Sequence, residues 1–184
     1  MCQNCMPRTK GNLVDVINCP DITRIPKFQR TKYLIIIGCP KLTMIPNMLN
    51  LKELYITDCG PLVIPNIPSL VSIKLERCDL ENLVIKGNNK CELSINNCNR
   101  LTSIVIKKLK TLHLHSCITV STVSGNIKNI CIVDCNALIN IDHKNSNELI
   151  IKNCKLLDDT YKCKPKTRFI SNLRSKIKFT QKSR

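Results

Sequence analysis

The stretch LKELYITDC at residues 51–59 places two aliphatic residues and a cysteine at fixed distances from one another. TKYLIIIGC at 31–39, LVSIKLERC at 70–78 and SNELIIKNC at 146–154 have the same arrangement. In each stretch one aliphatic residue stands five positions before the cysteine and another stands three positions before it. This recurrence predicts a protein built from similar structural units.

Eight cysteines mark the period of the repeat, and they follow one another at intervals of 18 to 20 residues. They are Cys19, Cys39, Cys59, Cys78, Cys98, Cys117, Cys135 and Cys154. A nearly constant period of this length is typical of a solenoid, in which each unit contacts only its neighbours. The sequence therefore predicts a repeat domain of eight units over residues 11–158, after a short N-terminal segment at 1–10.

Each unit is predicted to contain one short β-strand. The positions five and three before the cysteine are aliphatic in every unit, and residues two positions apart share one side of a strand. The other side varies, and we call it the strand face. Its central column is predicted to be Asp15, Ile35, Tyr55, Lys74, Ser94, His113, Cys131 and Ile150. A second column is predicted to be Ile17, Ile37, Thr57, Glu76, Asn96, His115, Val133 and Lys152.

The repeated cysteines are predicted to be structural thiols. A free thiol is small, tolerates burial and can donate weakly to a nearby carbonyl group. Stacked strands lie ~4.8 Å apart, so the eight thiols would form an internal column. Parallel Cα–Cβ directions make a relaxed disulfide between neighbouring units difficult. The first ten residues also lack the apolar stretch of a secretory signal, which favours free thiols in an intracellular protein.

The repeat pattern resembles that of leucine-rich repeats, in the form that has Cys where Asn is commoner. Its short units are similar in style to those of bacterial effectors and giant DNA viruses. The resemblance implies a leucine-rich repeat solenoid with a curved parallel sheet of about eight short strands, whose strand face lines the concave side. The convex side would be mainly extended or 3-10, because prolines such as Pro26, Pro46 and Pro65 favour extended backbone there.

The two ends of the chain differ in charge and pattern. Cys2 and Cys5 form a single Cys-x-x-Cys pair, too few ligands for a zinc cap. Residues 159–184 form a basic C-terminal segment, with nine Lys or Arg and no acid from residue 162 onward. Helical spacing of Phe169, Ile170, Leu173 and Ile177 predicts a capping helix followed by a solvated tail. The alternative is a weak electrostatic contact of this tail with nucleic acid or an anionic surface.

One cluster of residues on the strand face is a candidate for catalysis or metal binding. His113 and His115 lie on the same side of one strand, and Cys131 is predicted to lie beside His113. A Cys–His dyad can be nucleophilic, and two histidines with a cysteine can hold a metal. An open sheet, however, supplies no enclosed pocket, oxyanion hole or orienting carboxylate. The sequence predicts no enzyme activity, no catalytic residue, no bound metal and no cofactor.

Recognition is the function that the sequence favours. A ladder of variable side chains on a rigid sheet suits binding of a partner protein, which is what leucine-rich repeats commonly do. Exposed apolar residues in the N-terminal half of the face would mark that contact. The predicted contact residues are Tyr33, Ile35, Tyr55, Lys74, Arg77, His113 and His115. By family analogy, a second hypothesis is the substrate-recognition part of a ubiquitin-ligase-type assembly.

The apolar runs, the net charge and the cysteine count bear on where in the cell the protein is located. The longest apolar runs fall far short of the ~20 residues that a membrane span needs. The chain has a formal net charge of +16 and thirteen cysteines. We predict a monomer in the cytoplasm, and in the host cytoplasm if the protein is viral.

Overall fold

The protein is a parallel β-solenoid. The computed structural model describes residues 7–142 and 146–157, and no helix occurs within them. Eleven strands follow one another along the described chain. They are β1 (Arg8–Lys10), β2 (Leu13–Ile17), β3 (Tyr33–Ile37), β4 (Glu53–Thr57), β5 (Ser72–Glu76), β6 (Asn82–Ile85), β7 (Glu92–Asn96), β8 (Ser103–His115), β9 (Thr122–Val133), β10 (Asn140–Ile141) and β11 (Glu148–Lys152).

The strand face is carried by one continuous parallel ladder. It contains β2, β3, β4, β5, β7, the second halves of β8 and β9, and β11. Each strand pairs with its equivalent in the next unit, and the five aligned positions stay in register. The eight predicted strands are therefore confirmed, and they make a solenoid of about seven turns.

The aliphatic repeat positions form the core. All sixteen residues five and three positions before the repeated cysteines are at most 8% exposed. Most aliphatic residues that follow the cysteines, such as Leu42, Leu101 and Leu138, are also buried. Full burial of one such side chain stabilises the fold by roughly 1.5–3 kcal/mol, so the repeat gains its stability unit by unit.

The corner after each strand is built the same way in every unit. The residue before each repeated cysteine has a φ between 48° and 64°, the left-handed region. These residues are Asn18, Gly38, Asp58, Arg77, Asn97, Ser116, Asp134 and Asn153. The amide of each of the first seven donates to a carbonyl of the next strand, as Asn97 does to His115 at 3.1 Å. The left-handed residue thus turns the chain inward without breaking the ladder.

The repeated thiols lie inside the turns as predicted, buried in seven units and half-buried at Cys154 in the last. Each repeated cysteine donates to the carbonyl two residues before it, over Sγ–O distances of 3.2 to 3.6 Å. Within the described residues no cysteine forms a disulfide with another. Burial raises the pKa of Cys135 to about 12. A hydrogen bond between the two thiols lowers the pKa of Cys39 and raises that of Cys59.

The side of the turns opposite the strand face, which we call the convex side after the predicted curvature, has two parts. In the first three units it is extended and joined only by bridges from Arg24 to Met44 and from Met44 to Val63. From the fourth unit onward the prediction of an extended or 3-10 convex side is wrong, because a second parallel ladder lies there, formed by β6, the first halves of β8 and β9, and β10. Proline lacks an amide donor, and the sequence has none from residue 69 to 157, which explains where the second ladder begins.

The N-terminal edge of the sheet is covered by the chain itself. β1 pairs antiparallel with β2 through a tight turn that contains Gly11, whose φ is +62°. Cys2, Cys5 and the predicted capping helix and tail at 159–184 lie outside the described residues. Within those residues no helix is long and apolar enough to cross a membrane.

Candidate functional site: the strand face

Three columns of side chains run along the strand face. The pairing register aligns the central and second columns residue by residue as the repeat predicts. A third column stands at the start of each strand, and the sequence reasoning did not assign it as a unit. It consists of Leu13, Tyr33, Glu53, Ser72, Glu92, Thr111, Asn129 and Glu148. The face is therefore an array of three residues by eight.

The N-terminal part of the array is apolar. Ile17 and Tyr33 are each 43% exposed, and Ile35, Ile37 and Tyr55 are half-buried. These five residues lie on three consecutive strands in adjacent columns. We call them the apolar cluster. They include three of the predicted contact residues, which the structure thus brings together.

A polar network borders the apolar cluster. The Tyr55 hydroxyl donates to Glu76 Oε2 at 3.2 Å. Arg77 donates to both oxygens of Asp58, at 2.7 and 2.8 Å, and to the Thr57 hydroxyl at 3.0 Å, and it also pairs with Glu76. The Arg77 hydrogen bonds lower the pKa of Asp58. Burial, then the Glu76 charge, raises the pKa of Tyr55, so its hydroxyl stays protonated.

The two predicted cationic contacts differ in availability. Arg77 lies in the left-handed corner after β5, and its guanidinium is already held by Asp58 and Glu76. Lys74 lies in the central column between Tyr55 and Ser94, is exposed, and has no ion-pair partner among the described residues. Lys74 is therefore free to meet an acidic group, whereas Arg77 presents a fixed, partly neutralised edge.

The histidines lie in the other half of the face. His113 is exposed and pairs in register with Cys131, a half-buried thiol whose pKa burial raises. His115 contacts the Ser116 hydroxyl through Nδ1 at 3.0 Å and Asp134 Oδ2 through Nε2 at 3.4 Å. The stretch HLHSC at 113–117 contained the serine, but only the stacking of turns shows that a carboxylate lies beside it.

This Ser–His–Asp group lies on open surface. The side chains of His115 and Asp134 are 51% and 40% exposed, and Asn153 donates to the second oxygen of Asp134 at 2.8 Å. Water therefore reaches the imidazole freely, and a hydrolytic site needs donors that hold a developing oxyanion away from water. The described residues also contain no group of three or more His, Cys, Asp or Glu that could hold a metal ion.

One buried polar atom lies at the edge of the apolar cluster. Asp15 Oδ1 is buried and has no hydrogen-bond partner within the described residues. Asp15 pairs in register with Ile35 on one side and Arg8 on the other. Buried polar atoms are nearly always paired, so this oxygen is an acceptor for which the described residues supply no donor.

Comparison with known proteins adds no relative. No family model, no curated protein and no solved structure matches this chain. The fold and the candidate site are therefore inferred from the residues of this chain and their geometry alone.

Proposed function

We propose that the strand face binds a partner protein, with the apolar cluster as its central contact. The observation that carries this proposal is the cluster itself: five large apolar side chains exposed or half-buried on adjacent positions of a rigid sheet. Large exposed apolar groups with a polar border are typical of protein contacts. Tyr33 and Tyr55 are the anchors of the interface, because aromatic residues give much contact area for little loss of side-chain freedom.

The polar network supports specificity for this contact. Arg77, Asp58, Glu76 and Tyr55 hold one another in place, so a partner meets a preorganised edge beside the cluster. Lys74 offers a cation without a partner in the described fold. We infer that the partner presents an apolar segment whose flank carries an acidic group. Exposed ion pairs add little affinity, so the apolar cluster supplies most of the binding free energy.

The first experiment is affinity capture from lysate with the full chain, followed by binding measurements with the purified partner. Captures at ~50 and ~200 mM salt with nuclease separate protein contacts from phosphate contacts, because binding to phosphates falls steeply over that range. The partner identified by mass spectrometry is then titrated against Tyr33→Ala plus Ile35→Ala. We expect the dissociation constant to rise at least about thirtyfold, the loss of two contact residues at ~1 kcal/mol or more each.

His113→Ala plus His115→Ala is the matched control. It also changes two neighbouring columns, the central and the second, in the other half of the same face. If the partner contacts the whole array, the control also weakens binding, by less than the cluster variant. Equal affinity of the wild type and the cluster variant would refute the proposal. Circular dichroism of each variant checks that the solenoid is intact.

We further propose that the solenoid is of the leucine-rich repeat type and that it acts without catalysis, in the cytoplasm. The support is the repeat pattern and the aliphatic positions that are buried throughout. A contact of the basic segment at 159–184 with nucleic acid or an anionic surface is a separate proposal that rests on its charge alone. Capture that disappears at ~200 mM salt or with nuclease would favour that function over the protein contact.

A further inference from the structure

The convex side carries an exposed apolar stripe that the proposed function does not use. Met44, Val63, Val84 and Val105 are 49%, 65%, 61% and 46% exposed. They belong to four consecutive turns: Met44 bridges to Val63, and Val84 pairs in register with Val105. Ile64 follows Val63 and Ile85 follows Val84 along the chain. Both isoleucines are buried and line the same small crevice, which places the third and fourth turns side by side. We call these four residues the convex stripe, and at ~4.8 Å per turn it is about 15 Å long.

The segments that carry the convex stripe contain cations and no acids. Arg24 lies at the equivalent position of the first turn, and Lys86, Lys107 and Lys108 follow Val84 and Val105 along the chain. With Lys27 they are exposed, and none is in an ion pair within the described residues. The segments 24–27, 44–47, 63–66, 84–87 and 105–108 contain no Asp or Glu. Two other arginines follow strands of the strand face and are ion-paired, Arg77 with Asp58 and Arg100 with Asp79 and Glu81.

From this arrangement we infer that the convex side docks onto an anionic phospholipid surface. The convex stripe enters the boundary between headgroups and acyl chains, and the five cations contact the lipid phosphates and carboxylates. An apolar strip bordered by Lys and Arg is the combination that holds a peripheral protein at an anionic membrane, because burial and electrostatic attraction act together.

The aliphatic character of the convex stripe favours lipid over nucleic acid as the occupant. Single-stranded nucleic acid binds through stacking of bases on aromatic rings, and the four stripe residues are Met and Val. Duplex binding needs the cations alone and gains nothing from exposed valines. Docking by the convex side also leaves the strand face, on the opposite side of the turns, open to a partner protein.

The test uses the full chain and exploits the absence of Trp from the sequence. Val63→Trp and Ile17→Trp each introduce a single indole, one in the convex stripe and one on the strand face. Vesicles of phosphatidylcholine, with and without phosphatidylserine, are added to each. We expect a blue shift and an increased emission for Val63→Trp with phosphatidylserine vesicles only, and an unchanged spectrum for Ile17→Trp. An unchanged spectrum of Val63→Trp, or equal shifts at both positions, would overturn the inference.

Partition coefficients measured by vesicle sedimentation give a second readout. Val63→Asp plus Val84→Asp should lower binding to phosphatidylserine vesicles at least about tenfold. Ile17→Asp plus Tyr33→Asp makes the same charge change on the strand face and should lower it by far less. If the aspartates prevent folding, Val63→Thr plus Val84→Thr keeps the β-branched shape and should still weaken binding. Equal partitioning of the convex variants and the wild type would show that another segment binds the lipid. Capture of duplex DNA in place of vesicles would assign the cations to nucleic acid.

Discussion

Replacing Gly125 with alanine tests how the turns of this solenoid approach one another. Gly125 lies in β9 and pairs in register with Ile106 of β8. Its φ is +128°, which L side chains rarely adopt, and an added Cβ would lie 1.7 Å from the Ile106 carbonyl oxygen. The obstacle is backbone of the neighbouring turn, so no side-chain rotation can relieve it.

The cost of Gly125→Ala follows from these contacts. Forcing a non-glycine residue into such a conformation costs on the order of 1–3 kcal/mol. Separating β8 from β9 to make room adds overpacking of about 1–3 kcal/mol. We therefore expect the free energy of unfolding to fall by about 2–6 kcal/mol. Urea unfolding followed by far-ultraviolet circular dichroism measures it, and the slope with denaturant reports whether the whole solenoid still unfolds together.

Gly11→Ala is the matched control. Gly11 also has a positive φ, +62°, but nothing lies within 4 Å of an added Cβ. It should therefore lose only the left-handed preference, about 1 kcal/mol. A Gly125→Ala protein as stable as Gly11→Ala would refute the close approach of β8 and β9 at this point.

Three further predictions concern charge and thiols. In the folded protein the pKa of Asp58 lies below its ordinary value of 3.8. The charged carboxylate therefore stabilises the fold fully above pH 3.8, and this contribution is lost as the pH falls through the lowered pKa. Arg77→Gln should move the carboxyl titration of Asp58, followed by carbon-13 NMR, back toward 3.8, whereas Lys74→Gln should leave it nearly unchanged. Iodoacetamide at pH 8 should label Cys98 and Cys135 only as fast as the protein unfolds, because both are 0% exposed and both have a raised pKa. The Cys117 thiol is the main cause of the raised pKa at Cys98, and burial is the main cause at Cys135. Labelling of either thiol in the folded state, detected by mass spectrometry, would contradict this. Cys117→Ala should lower the free energy of unfolding by about 1–2 kcal/mol through lost packing and a lost weak hydrogen bond, and an unchanged urea midpoint would show that the thiol is dispensable.

The ladder and the core could be predicted because they depend on spacing alone. A strand needs alternating burial, and the aliphatic pairs before each cysteine specify which side is inside. The thiol contacts with the carbonyl two residues back also follow from a sharp inward corner. The left-handed residue before each cysteine was missed, although Asn18, Asp58, Asn97 and Asn153 are residue types that tolerate positive φ. Arg77 and Ser116 at the same position hide that signal, since neither type favours it.

The side-chain networks could not be predicted from the pattern. Arg77 reaches back across a turn to Asp58, and His115 reaches forward to Asp134, over sequence separations of nineteen residues. Each corner residue has several charged neighbours, and its ion-pair partner depends on the rotamers that the corner allows. No local sequence pattern specifies those rotamers. The start of the convex ladder could not be predicted from one unit either. A ladder forms only where two adjacent turns both lack proline, so its start depends on a pair of units.

The constant register has a consequence for how the chain folds. Each pairing between neighbouring strands of the strand face joins residues 18 to 20 positions apart, as Leu13 with Tyr33 and Thr111 with Asn129. Because the entropy cost of closing a loop grows with its length, every turn meets nearly the same small barrier. Folding can nucleate at any pair of turns and spread in both directions, and its rate should depend on the most stable pair rather than on chain length. Such a chain can gain or lose a turn without altering the contacts of the others.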